Sequence, residues 1–437
     1  MSTGNGAGSG ANDIDEFFST ARTSATDGPV ELAGGSYRDH LHDLDDPTVA
    51  RYRGMTYEEF TADRKTAPFL QELLDFWQSL YEEPFVGITS DGTVREGVLP
   101  LPAAPLSDDR PAQDAVAALD ALLPEASRER LHHAMDSPTW RGWINPEFVF
   151  HRIGLRLEDE ADEVVDAILA IVESSLSPAG YDRVREAMRL NGYLGELVGL
   201  PNVMNDESYW FAVYGDPASG AWGWQLFGHH VAVNFVSVGG RHIIAPVFLG
   251  GEPALSDQHP PLFAAREDAA LRLAATFTAE QRAAAVVYDS VLDPSMPEGR
   301  LHPADERHVA GAFRDNRIVP TEGVAVSGFS AAQRELLLAI IEDFLLLLRD
   351  EQRAATMADA ERFLDETHFS WYGATDGSQP FYFRVQSPLL IAELDHHAGV
   401  WLTNRLPARF HVHTTLRMMN GLDYGKALLA QWHATQD

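Results

Sequence analysis

Cysteine is absent from all 437 residues, which excludes a disulfide framework, a cysteine-ligated zinc or iron–sulfur centre and a thiol nucleophile. Lysine is nearly absent. Lys65 and Lys426 stand alone, so almost all of the 33 basic residues are arginines, and 65 acidic residues leave a formal net charge of −32. A field of that sign repels phosphate backbones and argues against nucleic acid as a partner. Long apolar runs are missing too. The greasiest stretch, Glu335–Arg349, carries Glu342 and Asp343 and is too short to span a bilayer. Met1–Phe18 has neither a basic region nor an apolar signal core, so the expectation is a cytoplasmic protein with a disordered tail over residues 1–12. No GxGxxG, Walker-type lysine loop, HExxH or GxSxG occurs, which removes sequence support for nucleotide binding and for a serine nucleophile. The rest is ordinary for a globular chain: 45% hydrophobic and 22% charged residues can bury a substantial core.

Hydrophobic spacing reads residues 13–130 as a mainly helical region, and helical periods give way to alternation from Ser208 onward. Helices are predicted over Thr56–Glu83, Ala112–Leu123, Glu125–Met135, Asp159–Leu176, Tyr181–Val198, Phe263–Tyr288, Ser327–Asp350, Ala355–Thr367 and Tyr424–Ala434. Phe85–Thr89 and Thr93–Val98 read as short extended runs, and Leu292–Glu322 as loop. Strands fall in two blocks. The first holds Ser208–Tyr214, Trp222–Val238 and Arg241–Leu249, the last two joined by a hairpin at Gly239-Gly240. The second holds His368–Tyr372, Gln379–Gln386, Leu389–Leu394, Val400–Thr403 and Phe410–Arg417. Strand blocks separated by helices predict an α+β fold with a mostly antiparallel sheet and helices packed around it.

Histidines cluster in these strand blocks. In Phe410–Arg417, His411 and His413 are two apart and share one face, the arrangement by which an H-x-H pair chelates a metal. Glu393 and Asp395 are also two apart, so two carboxylates and two imidazoles would meet if their strands pair. His229 and His230 are adjacent and would point to opposite faces of a strand, so one of them completes the set. Imidazole and carboxylate suit zinc, iron(II) or manganese. His396-His397 follows the carboxylates in an expected solvated turn, and His132-His133 falls in an expected helix. Arg384 and Arg417 flank the cluster, and arginine grips carboxylate or phosphate bidentately.

The sequence resembles domain-of-unknown-function family 3500. The blocks that carry the likeness are Trp222-Gly-Trp-Gln-Leu-Phe-Gly-His-His230, Pro246-Val-Phe-Leu-Gly-Gly-Glu-Pro253, Phe369-Ser-Trp-Tyr-Gly373, Phe381-Tyr-Phe-Arg-Val-Gln-Ser-Pro388, Ile391-Ala-Glu-Leu-Asp395, His411-Val-His413 and Asp423-Tyr-Gly425. Their order fits from about residue 131 to the C-terminus, so the resemblance implies one α+β domain over residues 131–437 that carries the histidine and carboxylate cluster. The resemblance implies no activity, but it picks out the same histidines, acids and arginine. Phe227 stands where relatives look acidic, and Met418-Met419 replaces a Thr-Pro-like pair; both bear on the substrate pocket. Trp432-His433 stands where a His-aromatic pair is usual, which weakens any role for a terminal histidine.

The expectation is therefore a metal-dependent enzyme. One divalent ion (zinc, iron or manganese) is held by His411, His413, one of His229 and His230, and Glu393, with a position left for water or substrate. Arg417, with Arg384, orients an anionic group of a small-molecule substrate, while Asp395 holds an imidazole or acts as base. Metal-activated water makes it a hydrolase or lyase. Iron(II) in the same ligands makes it an oxidoreductase, and a closed hydrogen-bond network makes it a non-catalytic binding or structural protein.

Overall fold

The computed structural model describes residues 35–436 apart from Leu44 and Pro303. The tail expected over residues 1–12 lies outside them. Early helices run over Tyr57–Arg64, Pro68–Glu82, Arg110–Leu122 and Glu125–Leu131. Thr56 and Glu59 satisfy each other's backbone N–H groups in a capping box, and Pro68 opens the next helix, where no N–H is needed. No helix among the described residues is long and apolar enough to cross a membrane.

The strands are β1 (His132–His133), β2 (Leu155–Arg156), β3 (Tyr209–Asp216), β4 (Ala221–Gly228), β5 (Val231–Val238), β6 (Arg241–Gly251), β7 (Val286–Tyr288), β8 (Val324–Ala325), β9 (His368–Tyr372), β10 (Tyr382–Gln386), β11 (Leu390–His396) and β12 (Val412–Met418). They form one 12-stranded sheet in the order β1-β3-β4-β5-β6-β12-β11-β10-β9-β7, with β2 beside β3 and β8 beside β9. The two blocks are meanders joined through their last strands, β6 and β12. The α+β class holds, but the sheet is mixed. β1 runs parallel to β3, and β7 parallel to β9. Helices intervene between each parallel pair, as such crossovers require.

Several segments depart from the expected elements, among them Phe263–Tyr288, whose last three residues are β7 rather than helix. Trp222–Val238 is two strands, β4 and β5, with His229-His230 as their turn. Phe85–Val98 forms no strand beyond a lone bridge from Thr89 to Ile318. His132-His133 is a short strand, not helix. Val400–Thr403 is not a strand because the N–H groups of Val400, Trp401 and Leu402 all donate to Glu252 Oε1. The long helix expected over Ser327–Asp350 is Ala331–Phe344, with a second helix restarting at Asp350–Arg362. Between them, the carbonyls of Leu346 and Leu347 accept from the side chain and backbone of Ser177, which diverts them from a helical ladder.

The two sheet faces differ in chemistry. Leu390, Ala392, Leu394, Phe383 and Val385 face the helical layer, where Phe344 meets Phe383 edge-on. On the other face the register sets Asp395 opposite both Tyr382 and His413, and Glu393 opposite both Arg384 and Thr415. That polar face is covered by the loop-rich segment expected over Leu292–Glu322. It is pinned by Leu292 packing with Tyr372 and Tyr382, and by Val309, Ala310 and Val319 packing with Ile391 and Met419. Backbone and side chains of this cover then satisfy the buried acids beneath it.

Candidate metal centre

The β4–β5 hairpin turns on two histidines. His230 sits at φ 62°, the left-handed region that costs a non-glycine residue roughly 1 kcal/mol. Its backbone is fixed by its N–H to Asn145 O and by Gly250 N–H to its carbonyl. His229 stacks on it, ring centroids 3.9 Å apart, but turns away, with Nδ1 2.8 Å from Asn191 Oδ1 on the helix Pro178–Val198. Of the two, His230 enters the cluster. The strand-face alternation expected for the pair does not apply, because both lie in a turn.

His411 and His413 come together with His230 as the H-x-H spacing predicts. His413 Nε2 lies 3.1 Å from His230 Nε2 and 3.1 Å from His411 Nε2. His411 Nδ1 is 2.7 Å from Ala398 O and donates to it, which leaves the Nε2 lone pair facing inward. One His413 N–H cannot serve both neighbours, so at least one pair of like groups stays opposed at hydrogen-bond distance. A cation among the three resolves that conflict. Bonds of 2.0–2.1 Å around a tetrahedral zinc put ligand nitrogens about 3.3 Å apart, close to the separations seen. Burial first, then the neighbouring imidazoles, lowers the pKa of His230, His411 and His413 well below the ordinary value, so all three offer neutral rings.

Close approach of the rings depends on Gly250, opposite His413 on β6. A Cβ there would lie 2.9 Å from His413 Cδ2 and 3.0 Å from His230 Cδ2. Gly250→Ala is therefore expected to splay both rings and weaken metal binding about 10–100-fold, the range for disturbed supporting contacts. A chelator-competition titration against wild type reads it; equal affinity would show that the rings do not need this gap.

A second buried group adjoins the first. His308, Asp395 and His397 each offer a ligand atom, all within 4.8 Å of one another. The His397 and His413 rings are 3.8 Å apart between centroids. His397 Nε2 lies 3.1 Å from Asp395 Oδ2, yet neither it nor His308 Nε2 makes a hydrogen bond among the described residues. Behind them stand carboxylates: Glu393 Oε2 is 3.6 Å from His308 Nδ1, and Glu306 Oε1 is 3.5 Å from His397 Nδ1. Burial raises the Asp395 pKa, but Arg307 and then His397 outweigh it and hold the carboxyl below the usual carboxylate range. Asp395 is thus a poor proton acceptor and a good anionic ligand, which counts against a role as base.

The remaining candidates lie elsewhere in the network. Glu393 accepts from Val309 N–H, Ala310 N–H, the Tyr382 hydroxyl and the Thr415 hydroxyl. Its oxygens are filled, so it positions His308 rather than joining His411 and His413. Arg417 donates to Asp423, Asp315 and the carbonyls of Ala310 and Gly311, which leaves no fork for a substrate. Arg384 is held more loosely, its Nη2 3.5 Å from both Pro320 O and Glu322 Oε1. His397, expected in a solvated turn, is buried, as is His396, whose Nδ1 lies 2.8 Å from Phe381 O. Sequence reasoning missed His308, His397, Glu306 and Arg307. The cue was the run Asp305-Glu-Arg-His308 beside apolar Val309–Phe313, a charged stretch that folds inward with its greasy neighbours.

Among curated proteins and among solved structures, nothing matches this chain significantly. A family model described as "Protein of unknown function (DUF3500)" matches residues 108–426, most of the chain. The histidine cluster, the paired acids and every strand of the sheet that carries them lie within that match, and the chain belongs to the DUF3500 family.

Proposed function

We propose that this protein is a metal-dependent enzyme whose ion is held by His230, His411 and His413, with the fourth position open to water or substrate. The observation that carries the reading is the convergence of three neutral Nε2 atoms, two pairs of them 3.1 Å apart, with no set of protons that satisfies all three. Three histidines and an open position are the ligand pattern of catalytic rather than structural zinc. A bound zinc ion supplies a water acidic enough to act as a nucleophile near neutral pH, so hydrolysis or a lyase reaction is the favoured chemistry. The chain's own part is to fix the rings: Ala398 O sets the His411 tautomer, and the His229–His230 turn aims His230. The buried surroundings also strengthen charge interactions within the site. The substrate is small. Support for an anionic one rests on Arg384, since Arg417 is occupied by two carboxylates.

Elemental analysis of tag-free wild type beside the double variant His411→Ala/His413→Ala tests this. Near-stoichiometric zinc in wild type, reduced at least tenfold in the variant, is the expected outcome. Iron in place of zinc moves the chemistry to oxygen-dependent oxidation. Wild type that takes up no metal after anaerobic reconstitution leaves a structural histidine network and ends the enzyme reading.

A further inference from the structure

The mixed pair of ligand groups points past a single ion. We infer that His308, Asp395 and His397 hold a second divalent cation beside the one at His230, His411 and His413, making this a two-ion centre. The inference rests on the reading of the first site and adds a site to it. Three observations carry it. The ligand atoms of the second group lie within 4.8 Å of one another, close to the span available around one ion. Among the described residues His308 Nε2 is buried with no hydrogen-bond partner and His397 Nε2 has only its 3.1 Å contact with Asp395 Oδ2, which is costly for a buried polar atom unless something occupies the space it faces. Each ring also has a carboxylate near its other nitrogen, Glu393 at 3.6 Å and Glu306 at 3.5 Å, the support that metal-bound imidazoles commonly have.

Charge fits the same conclusion. Two dications in a closed space need anions, and Asp395 in the site with Glu393 and Glu306 behind it supplies them. Arg307 offsets part of that charge, since its Nε donates to Asp395 Oδ1 at 2.7 Å. Oδ2 accepts the Arg307 backbone N–H at 3.3 Å and is the oxygen turned to the histidine, 3.1 Å from His397 Nε2. The rings of His397 and His413 are 3.8 Å apart, so the two groups share a wall. Two ions held by His230, His411 and His413 and by His308, Asp395 and His397 would supply paired Lewis-acid charge, which favours hydrolysis of an ester- or phosphate-like bond over oxidation.

The test is a zinc(II) titration of chelator-stripped, full-length protein, with bound metal counted after removal of the free ion. Wild type is expected to bind two equivalents, and His308→Asn and His397→Asn one each. One equivalent in wild type overturns the second ion and leaves the first site standing. None overturns both. Two equivalents in wild type that persist in both variants place the second ion elsewhere and also overturn the proposal. The wild-type count needs no variant, so a misfolded substitution does not blunt it.

Discussion

Arg417→Met is expected to lower the unfolding free energy by about 3–5 kcal/mol, the range for removing one partner of a buried ion pair. Arg417 is fully buried between Asp423, which accepts from its Nε at 2.7 Å, and Asp315. Asp315 also takes Arg141 Nε at 2.8 Å and the Tyr424 hydroxyl at 2.9 Å, so one guanidinium ties β12 to the covering loop and to the chain beyond the sheet. Methionine keeps much of the volume but leaves the two carboxylates short of a counter-charge. Burial already pushes the Asp423 carboxyl up to about 6 against the pull of Arg417. A carboxyl raised in the fold contributes its stability below its unfolded pKa and loses it as pH rises through the folded value. Without Arg417 that value rises further. The deficit of the variant should therefore be larger at pH 8 than at pH 5, measured by urea unfolding at both. An equal deficit at the two pH values would mean that packing, not charge, was lost. Unchanged stability with a raised KM would return Arg417 to substrate binding.

The sequence showed best what depends on a period of two. Glu393 and Asp395 share a face of β11, His413 shares one with Thr415 on β12, and register brings Asp395 and His413 together. Strand alternation alone predicts each of these faces. It failed at His229-His230, because a run from Trp222 to Val238 is far longer than a usual strand and had to turn somewhere. The apolar residues on both sides masked the turn, since β4 and β5 are buried along their whole lengths. His308 and His397 carry no periodic signal. They reach the site through loop geometry, and loops are placed by hydrogen bonds such as Val309 N–H to Glu393, which no local pattern announces. The sheet's parallel edges were hidden for a related reason: β1 and β7 are two and three residues long, too short to read against their helical neighbours.

Glu252→Gln is expected to flatten the pH dependence of stability, gaining about 3–4 kcal/mol on wild type between pH 5 and pH 8. Two effects compete at this residue. Three backbone N–H groups, from Val400, Trp401 and Leu402, converge on Oε1, and donors of that number ordinarily hold a carboxylate ionised. Yet all three reach the same oxygen. Oε2 is buried with no hydrogen-bond partner among the described residues, and burial wins, raising the pKa to about 8. The sign follows from the shift. A folded pKa above the unfolded value, near 4.5, means that stability is complete below about pH 4.5 and is lost as pH rises toward 8. Glutamine keeps the accepting oxygen and cannot ionise, so the substitution removes that loss. Thermal or urea unfolding across the range would show diverging curves; parallel curves would mean that the three amides outweigh burial after all. The site gives a further handle. Glu252 Oε1 is 4.0 Å from His411 Nδ1, so an ion on the far side of that ring favours the carboxylate and lowers its pKa. Zinc-loaded wild type should accordingly lose less stability toward pH 8 than metal-free wild type, while Glu252→Gln shows no such difference in slope.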